Sequence, residues 1–238
     1  MAGDLTNFEI LEIGPGPGGL TRGLLSEGAQ RVVAIEKDKR CISALREIQN
    51  HYPDRLQIIE GDANEIQQEK YFTKPVKVVS NLPYNVATKI LTTLISTHYS
   101  TNKLKNMILM FQKEVAQRIT ADYSKKHYGR LSIISQYLYQ CNIEFDLNPA
   151  VFYPKPKVDS SIVSFKSLER KSGPDIKILE SITRAAFSQR RKKIRTSLKG
   201  IISEADLTER LNIDVDLRAE QLSVNQYLKI SEYLEKIS

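Results

Sequence analysis

The sequence predicts an α/β fold with a largely parallel sheet, followed by a small all-helical region. Three observations predict it. Through the first two-thirds of the chain, short apolar runs alternate with stretches of helical periodicity, the pattern of strands joined by crossover helices. A glycine-rich turn, Gly14-Pro-Gly-Pro-Gly-Gly19, separates the first run from the first helical stretch. After Gly173-Pro174 the strand patterns stop.

Taken in order, the expected strands cover residues 8–13, 31–36, 56–60, 76–80 and 107–111, each a short run rich in apolar side chains. Helical patterns at 20–26, 40–49 and 85–95 fall between them. A helix at 130–140 follows Gly129, and two further strands, 142–147 and 161–166, are joined by the proline-rich loop 148–160. Those two strands are expected to end the sheet as an antiparallel, hairpin-like pair. Residues 167–174 read as a linker, polar and ending in Gly-Pro. Four helices are expected beyond it, at 176–186, 189–199, 203–211 and 224–234.

At 238 residues the chain has room for one large domain and a small one. A hydrophobic content of 41% with 26% charged residues excludes wholesale disorder. The net charge of +7 favours a polyanionic partner if the cations cluster. Cys41 and Cys141 are too few and too far apart for a disulfide framework or a zinc site. The three histidines lack ligand-like spacing, so no metal is expected. No run approaches the ~18 consecutive apolar residues of a membrane span, and the first residues lack the basic and apolar regions of a signal peptide. A reducing, cytoplasmic setting is expected.

Gly14, Gly16 and Gly19 match the G-x-G-x-x-G nucleotide-binding pattern, and Glu36, at the end of the second strand, stands where an acid would bind ribose hydroxyls. A pyrophosphate needs backbone N–H donors at the helix N-terminus, and Pro15 and Pro17 remove two of them. No Gly-Lys-Ser/Thr follows, so a P-loop is excluded. The loss of donors weakens the case for NAD and leaves room for S-adenosylmethionine, which carries adenosine without phosphate. Asp62, in Gly61-Asp62-Ala63 after the third strand, could accept a hydrogen bond from an adenine amino group; the competing reading is a helix cap.

Asn81-Leu82-Pro83-Tyr84 follows the fourth strand and precedes a helix, so a strand delivers these residues to the rim of the sheet. Asn81 offers a carbonyl acceptor beside an amide donor. Pro83 pushes Leu82 toward an extended conformation, which keeps the Leu82 carbonyl out of a helix. Tyr84 offers a flat ring on which a base can stack. Two acceptors and a stacking face suit an enzyme that holds a nucleobase amine for attack on an electrophile.

With the glycine loop, Glu36, Asp62 and Asn-Leu-Pro-Tyr in this order, the chain resembles the rRNA adenine N6-dimethyltransferases, and among them the KsgA type that acts on the small ribosomal subunit. Further matching stretches are Phe111-Gln-Lys-Glu-Val115, Tyr128-Gly-Arg-Leu-Ser132, Pro154-Lys-Pro-Lys-Val-Asp-Ser160 and Ala186-Phe-Ser-Gln-Arg-Arg-Lys-Lys-Ile-Arg-Thr-Ser-Leu198. The resemblance implies a Rossmann-like, seven-stranded S-adenosylmethionine-dependent methyltransferase domain at 1–172 and a small helical RNA- and ribosome-binding domain at 173–238. It implies transfer of two methyls to each of two adjacent adenosines near the 3′ end of small-subunit rRNA, within an immature subunit and by a monomer. Carried over by position, Gly14, Gly16, Glu36, Lys37, Asp62, Ala63 and Asn81 line the cofactor. Asn81, Leu82 and Pro83 present the target amine's acceptors, Tyr84 stacks on the base, and Phe152 covers its other face; the competing reading of Phe152 is a core aromatic. Family members carry a further segment before the first strand with a Gln-Asn-Phe-Leu-like motif, which this sequence is expected to lack.

Arg184, Arg190, Arg191, Lys192, Lys193 and Arg195 occur with no acid between Ile182 and Ser203, while Ala186, Phe187, Ile194 and Leu198 fall at helical spacing. A helix docked by that stripe would turn its cations toward RNA phosphates. The loop 123–130, with Lys125, Lys126 and Tyr128, is a second candidate for RNA contact. The competing functions are a methyltransferase for large-subunit rRNA, an NAD-dependent oxidoreductase, and a non-catalytic ribosome assembly factor.

Overall fold

The computed structural model describes residue 3 and residues 5–152, 155, 157–168 and 173–237. Seven strands form one sheet: β1 (Glu9–Ile13), β2 (Val32–Glu36), β3 (Leu56–Glu60), β4 (Val76–Asn81), β5 (Leu104–Gln112), β6 (Tyr139–Leu147) and β7 (Ser160–Ser167). Their spatial order is β3-β2-β1-β4-β5-β7-β6. The first five run parallel, and β7 is antiparallel to β5. This is the α/β architecture read from the sequence, with the two late strands at one edge as expected.

Helices α1 (Gly19–Ser26), α2 (Lys39–His51) and α3 (Ala87–Thr101) connect the parallel strands. Every residue of β1 and β2 is buried, as parallel strands covered on both faces require. Asp38 caps α2 by accepting from the Arg40 amide at 2.9 Å, and Ile42, Leu45 and Ile48 turn one stripe of that helix inward. The stripe joins Ile10, Val32, Ala34 and Leu56 in a single apolar core. Gly18 begins α1 in the left-handed region (φ 89°), which favours glycine, and a Cβ there would lie 2.3 Å from Ile48 Cδ1, so any other residue would also have to push that side-chain end aside.

The strand order places a topological switch between β1 and its neighbours: the chain runs from β1 to β2 and β3 on one side, then returns to place β4 on the other. In open α/β sheets the crevice for ligands lies outside the carboxyl ends of the strands at such a point. Here those ends carry Gly14 and Asn81-Leu82-Pro83-Tyr84.

By Cα proximity the chain divides into two compact units, residues 1–116 with 142–167, and residues 117–141 with 168–238. The expected division at 172/173 falls beside residues 169–172, which lie outside the described set, as does half of the expected linker. The units also divide elsewhere: residues 117–141 group with the C-terminal helices. The reason is packing around α5 (Arg130–Leu138), which is buried against α6 (Ile176–Ser188) and α8 (Val224–Ile237). Tyr128 and Tyr227 both contact Phe187 of α6, edge-on at 6.4 Å and stacked at 6.2 Å between ring centroids. Helix α4 spans Lys113–Thr120 and the four-residue α7 spans Ile194–Ser197.

The continuous helix expected at 189–199 does not form. Helix α6 ends at Ser188, residues 189–192 turn, and Lys193 is extended (φ −68°, ψ 152°). The amides of Ile194 and Arg195 donate to the carbonyls of Leu217 and Val215, and Lys193 pairs as an isolated bridge with Arg218. Backbone groups a helix would have used internally are thus given to the 215–218 segment. The helix expected at 203–211 takes a π form over Asp206–Arg210.

Candidate active site

The glycine loop is held in place by Glu36. One Glu36 carboxylate oxygen accepts from the Gly16 amide at 2.8 Å, and the other accepts from the Asp38 amide at 2.7 Å. Each oxygen keeps a lone pair for a further donor, so the carboxylate can shape the loop and still receive a hydroxyl. Gly14 follows β1 in the left-handed region (φ 67°), its amide bonded to Ile35, and a Cβ on it would meet Pro83 Cδ at 3.4 Å. Gly14 thus lies against the tetrapeptide at the switch point.

One residue earlier the two motifs are tied directly. The Ile13 amide, just before Gly14, donates to Ser80 Oγ at 2.7 Å, just before Asn81, across a sequence separation of 67. A cleft of about 230 Å³ opens beside this junction. Gly14, Glu36, Lys37, Asp62, Ala63 and Pro83 line it, together with Ile13, Ile35, Gly61, Asn64, Asn85, Val86 and Ile90. The volume is below the few hundred to a thousand Å³ of typical ligand clefts, so it encloses a nucleoside-sized part of a ligand. Isoleucines supply apolar walls, and the carboxylates of Glu36 and Asp62 supply acceptors. These acceptors and apolar walls fit an adenosine.

Asp62 is committed on both oxygens. Oδ1 accepts from the Asn64 amide at 2.9 Å and the Asn64 side chain at 3.0 Å, while Oδ2 pairs with Lys37 Nζ at 3.0 Å. The Asn64 amide, then Lys37, hold its carboxyl well below the usual carboxylate range. The turn-capping geometry and a place in the cleft wall therefore coexist in one residue. Lys37 stands beside Asp62 with its ammonium largely in solvent.

Asn81 ends β4 opposite Met110 of β5 and is exposed, whereas the Leu82 side chain is buried. Among the described residues, neither the Asn81 side-chain amide nor the Leu82 carbonyl hydrogen-bonds to another residue outside the sheet ladder. The Pro83 carbonyl accepts from the Val86 amide at 3.1 Å, closing the turn into α3. Tyr84 is half-buried, its hydroxyl 2.6 Å from Ser160 Oγ at the start of β7. Phe152 is half-buried at the end of a short 3₁₀ turn, Pro149–Val151, capped by Asn148. The structure thus gathers Gly14, Glu36, Lys37, Asp62, Ala63 and Pro83 in one cleft, while Gly16, Asn81, Leu82, Tyr84 and Phe152 do not line it. Of the cleft residues the sequence reading passed over, Asn85 and Val86 directly follow the tetrapeptide, and Ile90 sits one helical turn beyond Val86. Adjacency to the motif was the available signal.

Glu12 was also passed over. It is buried in β1 and accepts from Thr21 Oγ1 at 2.6 Å. Burial pushes its carboxyl up to about 7, with the charge of Glu36 adding to the effect and the Thr21 bond opposing it. In the sequence it was only one of two acids, with Glu9, in the run 8–13.

In the second unit all six candidate RNA-contacting cations are exposed. Three are engaged by acids from later in the chain: Arg190 pairs with Glu220 at 2.5 Å, and Lys193 and Arg195 share Asp216 at 3.1 Å. Arg184, Arg191 and Lys192 make no ion pair among the described residues. Ala186, Ile194 and Leu198 are fully buried, so the apolar spacing reports real packing although no single helix carries it. Tyr128 is also buried, which removes it from the RNA-contact candidates; Lys125 and Lys126 of that loop remain exposed.

Residues 5–236 match the family model described as ribosomal RNA adenine dimethylase. The chain belongs to the ribosomal RNA adenine dimethylase family. It is 46% identical over 238 residues to ribosomal RNA small subunit methyltransferase A of Ruegeria sp. strain TM1040, covering 99% of this chain and 85% of that protein. The protein of the same name from Allorhizobium ampelinum is 47% identical over 234 residues, at 98% and 85% coverage. Among solved structures, a dimethyladenosine transferase from Plasmodium falciparum superposes with a TM-score of 0.81 at 26% identity, covering 98% of this chain and 93% of that one. The 23S rRNA methyltransferase ErmE, at 22% identity and a TM-score of 0.73 with the same coverages, shares the fold. Among the described residues no group of three or more His, Cys, Asp or Glu could hold a metal ion, and no helix is long and apolar enough to cross a membrane.

Proposed function

We propose that this family member transfers two methyl groups from S-adenosylmethionine to the N6 amine of each of two adjacent adenosines near the 3′ end of small-subunit rRNA. It does so in the cytoplasm, as a monomer, on an immature small subunit, and so takes part in ribosome biogenesis. The observation that carries this reading is the junction at the sheet's switch point. A cleft fit for adenosine lies against a strand end whose two amine acceptors are engaged by no other side chain or loop among the described residues.

Glu36 receives the ribose hydroxyls, Asp62 the adenine amino group, and Gly14, Gly16 and Ala63 allow the close approach of backbone to cofactor. Lys37 flanks Asp62. When bound, S-adenosylmethionine supplies an electrophilic methyl group on a sulfonium. The adenine amine of the RNA is a weak nucleophile because its lone pair is delocalised into the ring. Hydrogen bonds from that amine to the Asn81 side-chain carbonyl and the Leu82 backbone carbonyl favour a more tetrahedral nitrogen and aim its lone pair. Pro83 fixes the backbone that presents both acceptors. Tyr84 and Phe152 sandwich the base, which must be unpaired or flipped out to reach them. Positioning and electrostatics supply most of the acceleration, and the alkylated amine is acidic enough to release its proton without a strong base. RNA contact is assigned to the unit of residues 117–141 and 168–238, through Arg184, Arg191 and Lys192 and, once their ion pairs rearrange, Arg190, Lys193 and Arg195.

Asn81→Ala tests the core of the proposal. Methyl transfer to immature small subunits should be abolished while S-adenosylmethionine affinity stays within a few-fold by calorimetry. Near-normal turnover by the variant would overturn the mechanism.

A further inference from the structure

The hydroxyl contact between Tyr84 and Ser160 has no part in the chemistry above, yet it joins two segments on which the site depends. Ser160 is fully buried at the first position of β7, and its hydroxyl lies 2.6 Å from Tyr84 Oη. Strand pairing fixes Ser160 firmly: it stands opposite Gln112 of β5, two positions beyond the Met110–Ile162 pair. Met110 is in turn the partner of Asn81. The same strand ladder therefore sets both Asn81 and the anchor that holds the rim of the Tyr84 ring. Ser160 also ends the loop that carries Phe152. The ring of Tyr84 is only half-buried. Packing alone leaves it freer to tilt than a core aromatic, and the hydroxyl contact removes that freedom.

We infer that Ser160 is a positioning residue for the second methyl transfer, acting through the Tyr84 hydroxyl. The inference rests on the proposed dimethylation. An unmodified adenine amine has two hydrogens, one for Asn81 and one for Leu82. After one transfer a single hydrogen remains, so one of the two acceptors is left without a partner. Orientation of the base then depends more heavily on the stacking rings. The first transfer is held by two hydrogen bonds and the clamp, the second by one hydrogen bond and the clamp. Loosening Tyr84 must therefore penalise the second transfer more than the first. A neutral hydrogen bond of this kind is worth roughly a 3- to 10-fold change in the rate it supports.

The test measures product composition on immature small subunits that lack the modification. Nucleosides are quantified by mass spectrometry after timed reactions with the full chain. Wild type is expected to give mainly N6,N6-dimethyladenosine with little N6-methyladenosine. Ser160→Ala should slow the second transfer relative to the first by roughly 3- to 10-fold, so that monomethylated adenosine accumulates. Tyr84→Phe removes the same contact from the partly exposed side, so it keeps the test informative if burial makes Ser160→Ala fold poorly. Ser160→Thr, which retains the hydroxyl, should restore the wild-type ratio. The double variant should be no more biased than either single one. An unchanged ratio in Ser160→Ala and Tyr84→Phe, or equal slowing of both transfers, would overturn the inference while leaving dimethylation standing. Absence of methylated adenosine with wild type would overturn both.

Discussion

Replacing Glu12 with glutamine removes a proton-binding site from the strand that carries the glycine loop, and the structure sets the size of the effect. The ordinary carboxyl value is 4.5, and burial, reinforced by Glu36, moves that of Glu12 to about 7 in the folded chain. The folded protein therefore holds this proton at pH values where the unfolded chain has released it. With more protons bound in the native state, stability falls as pH rises through that window and stays low above it. The gap between 4.5 and about 7 corresponds to a loss of roughly 3 kcal/mol at pH 8 relative to pH 4. Glutamine is neutral at every pH and can still accept from Thr21. Its amide group takes the place of the O–H that the protonated carboxyl carries, so the exchange creates little new burial cost at acid pH. Glu12→Gln should match wild type near pH 4 and exceed it by roughly 2–3 kcal/mol near pH 8. Urea unfolding of both proteins at the two pH values gives the difference directly, because the other carboxylates titrate alike in each and cancel. An equal stability difference at both pH values would refute the reasoning. So would a glutamine variant less stable than wild type at pH 8.

Two further outcomes follow from surface charge. Lys37→Met frees Asp62 Oδ2 from its competitor; because the pair is largely in solvent, S-adenosylmethionine should bind no more than about threefold tighter by calorimetry. Weakening beyond threefold would instead make Lys37 a direct cofactor contact. Reversing Arg191 and Lys192 to glutamate should weaken binding to immature small subunits and flatten its logarithmic salt dependence by about 0.7–0.9 per lost phosphate contact. Binding unchanged at several salt concentrations would exclude these residues from the RNA surface.

Much of this arrangement was legible in the sequence because its signals were local. Strands β2 and β3 lie within a residue of their apolar runs, and the glycine turn and Asn81-Leu82-Pro83-Tyr84 carry their own backbone chemistry. Extensions and breaks set by distant partners were not legible. Strand β5 begins three residues before its apolar run because Leu104 and Asn106 find partners on β4. Helix α3 continues beyond Ile95 through a Ser/Thr-rich stretch, where Ser100 and Thr101 bond back to carbonyls four residues earlier at 3.1 and 2.7 Å. The segment 189–199 kept the burial of Ile194 and Leu198 that a helix would give, but its amides are claimed by residues 215–217. Its cations met acids at 216 and 220 that no local window contains.

The same distinction explains why the site is built as it is. The glycine loop and the Asn81–Tyr84 tetrapeptide are separate local motifs, and the methyl transfer proposed above needs their relative position held far more closely than either motif can hold it alone. Parallel pairing of β1 with β4 brings them to one edge of the sheet, but a ladder constrains direction along the strand more than the path of the loops that leave it. The Ile13–Ser80 bond supplies the missing constraint at the residue just before each motif begins. Gly14, in the left-handed region, turns the chain out of β1 alongside Pro83. On the proposed function, Ser80 therefore acts through geometry, by tying β1 to β4 ahead of the two motifs, and its side chain need not touch either substrate.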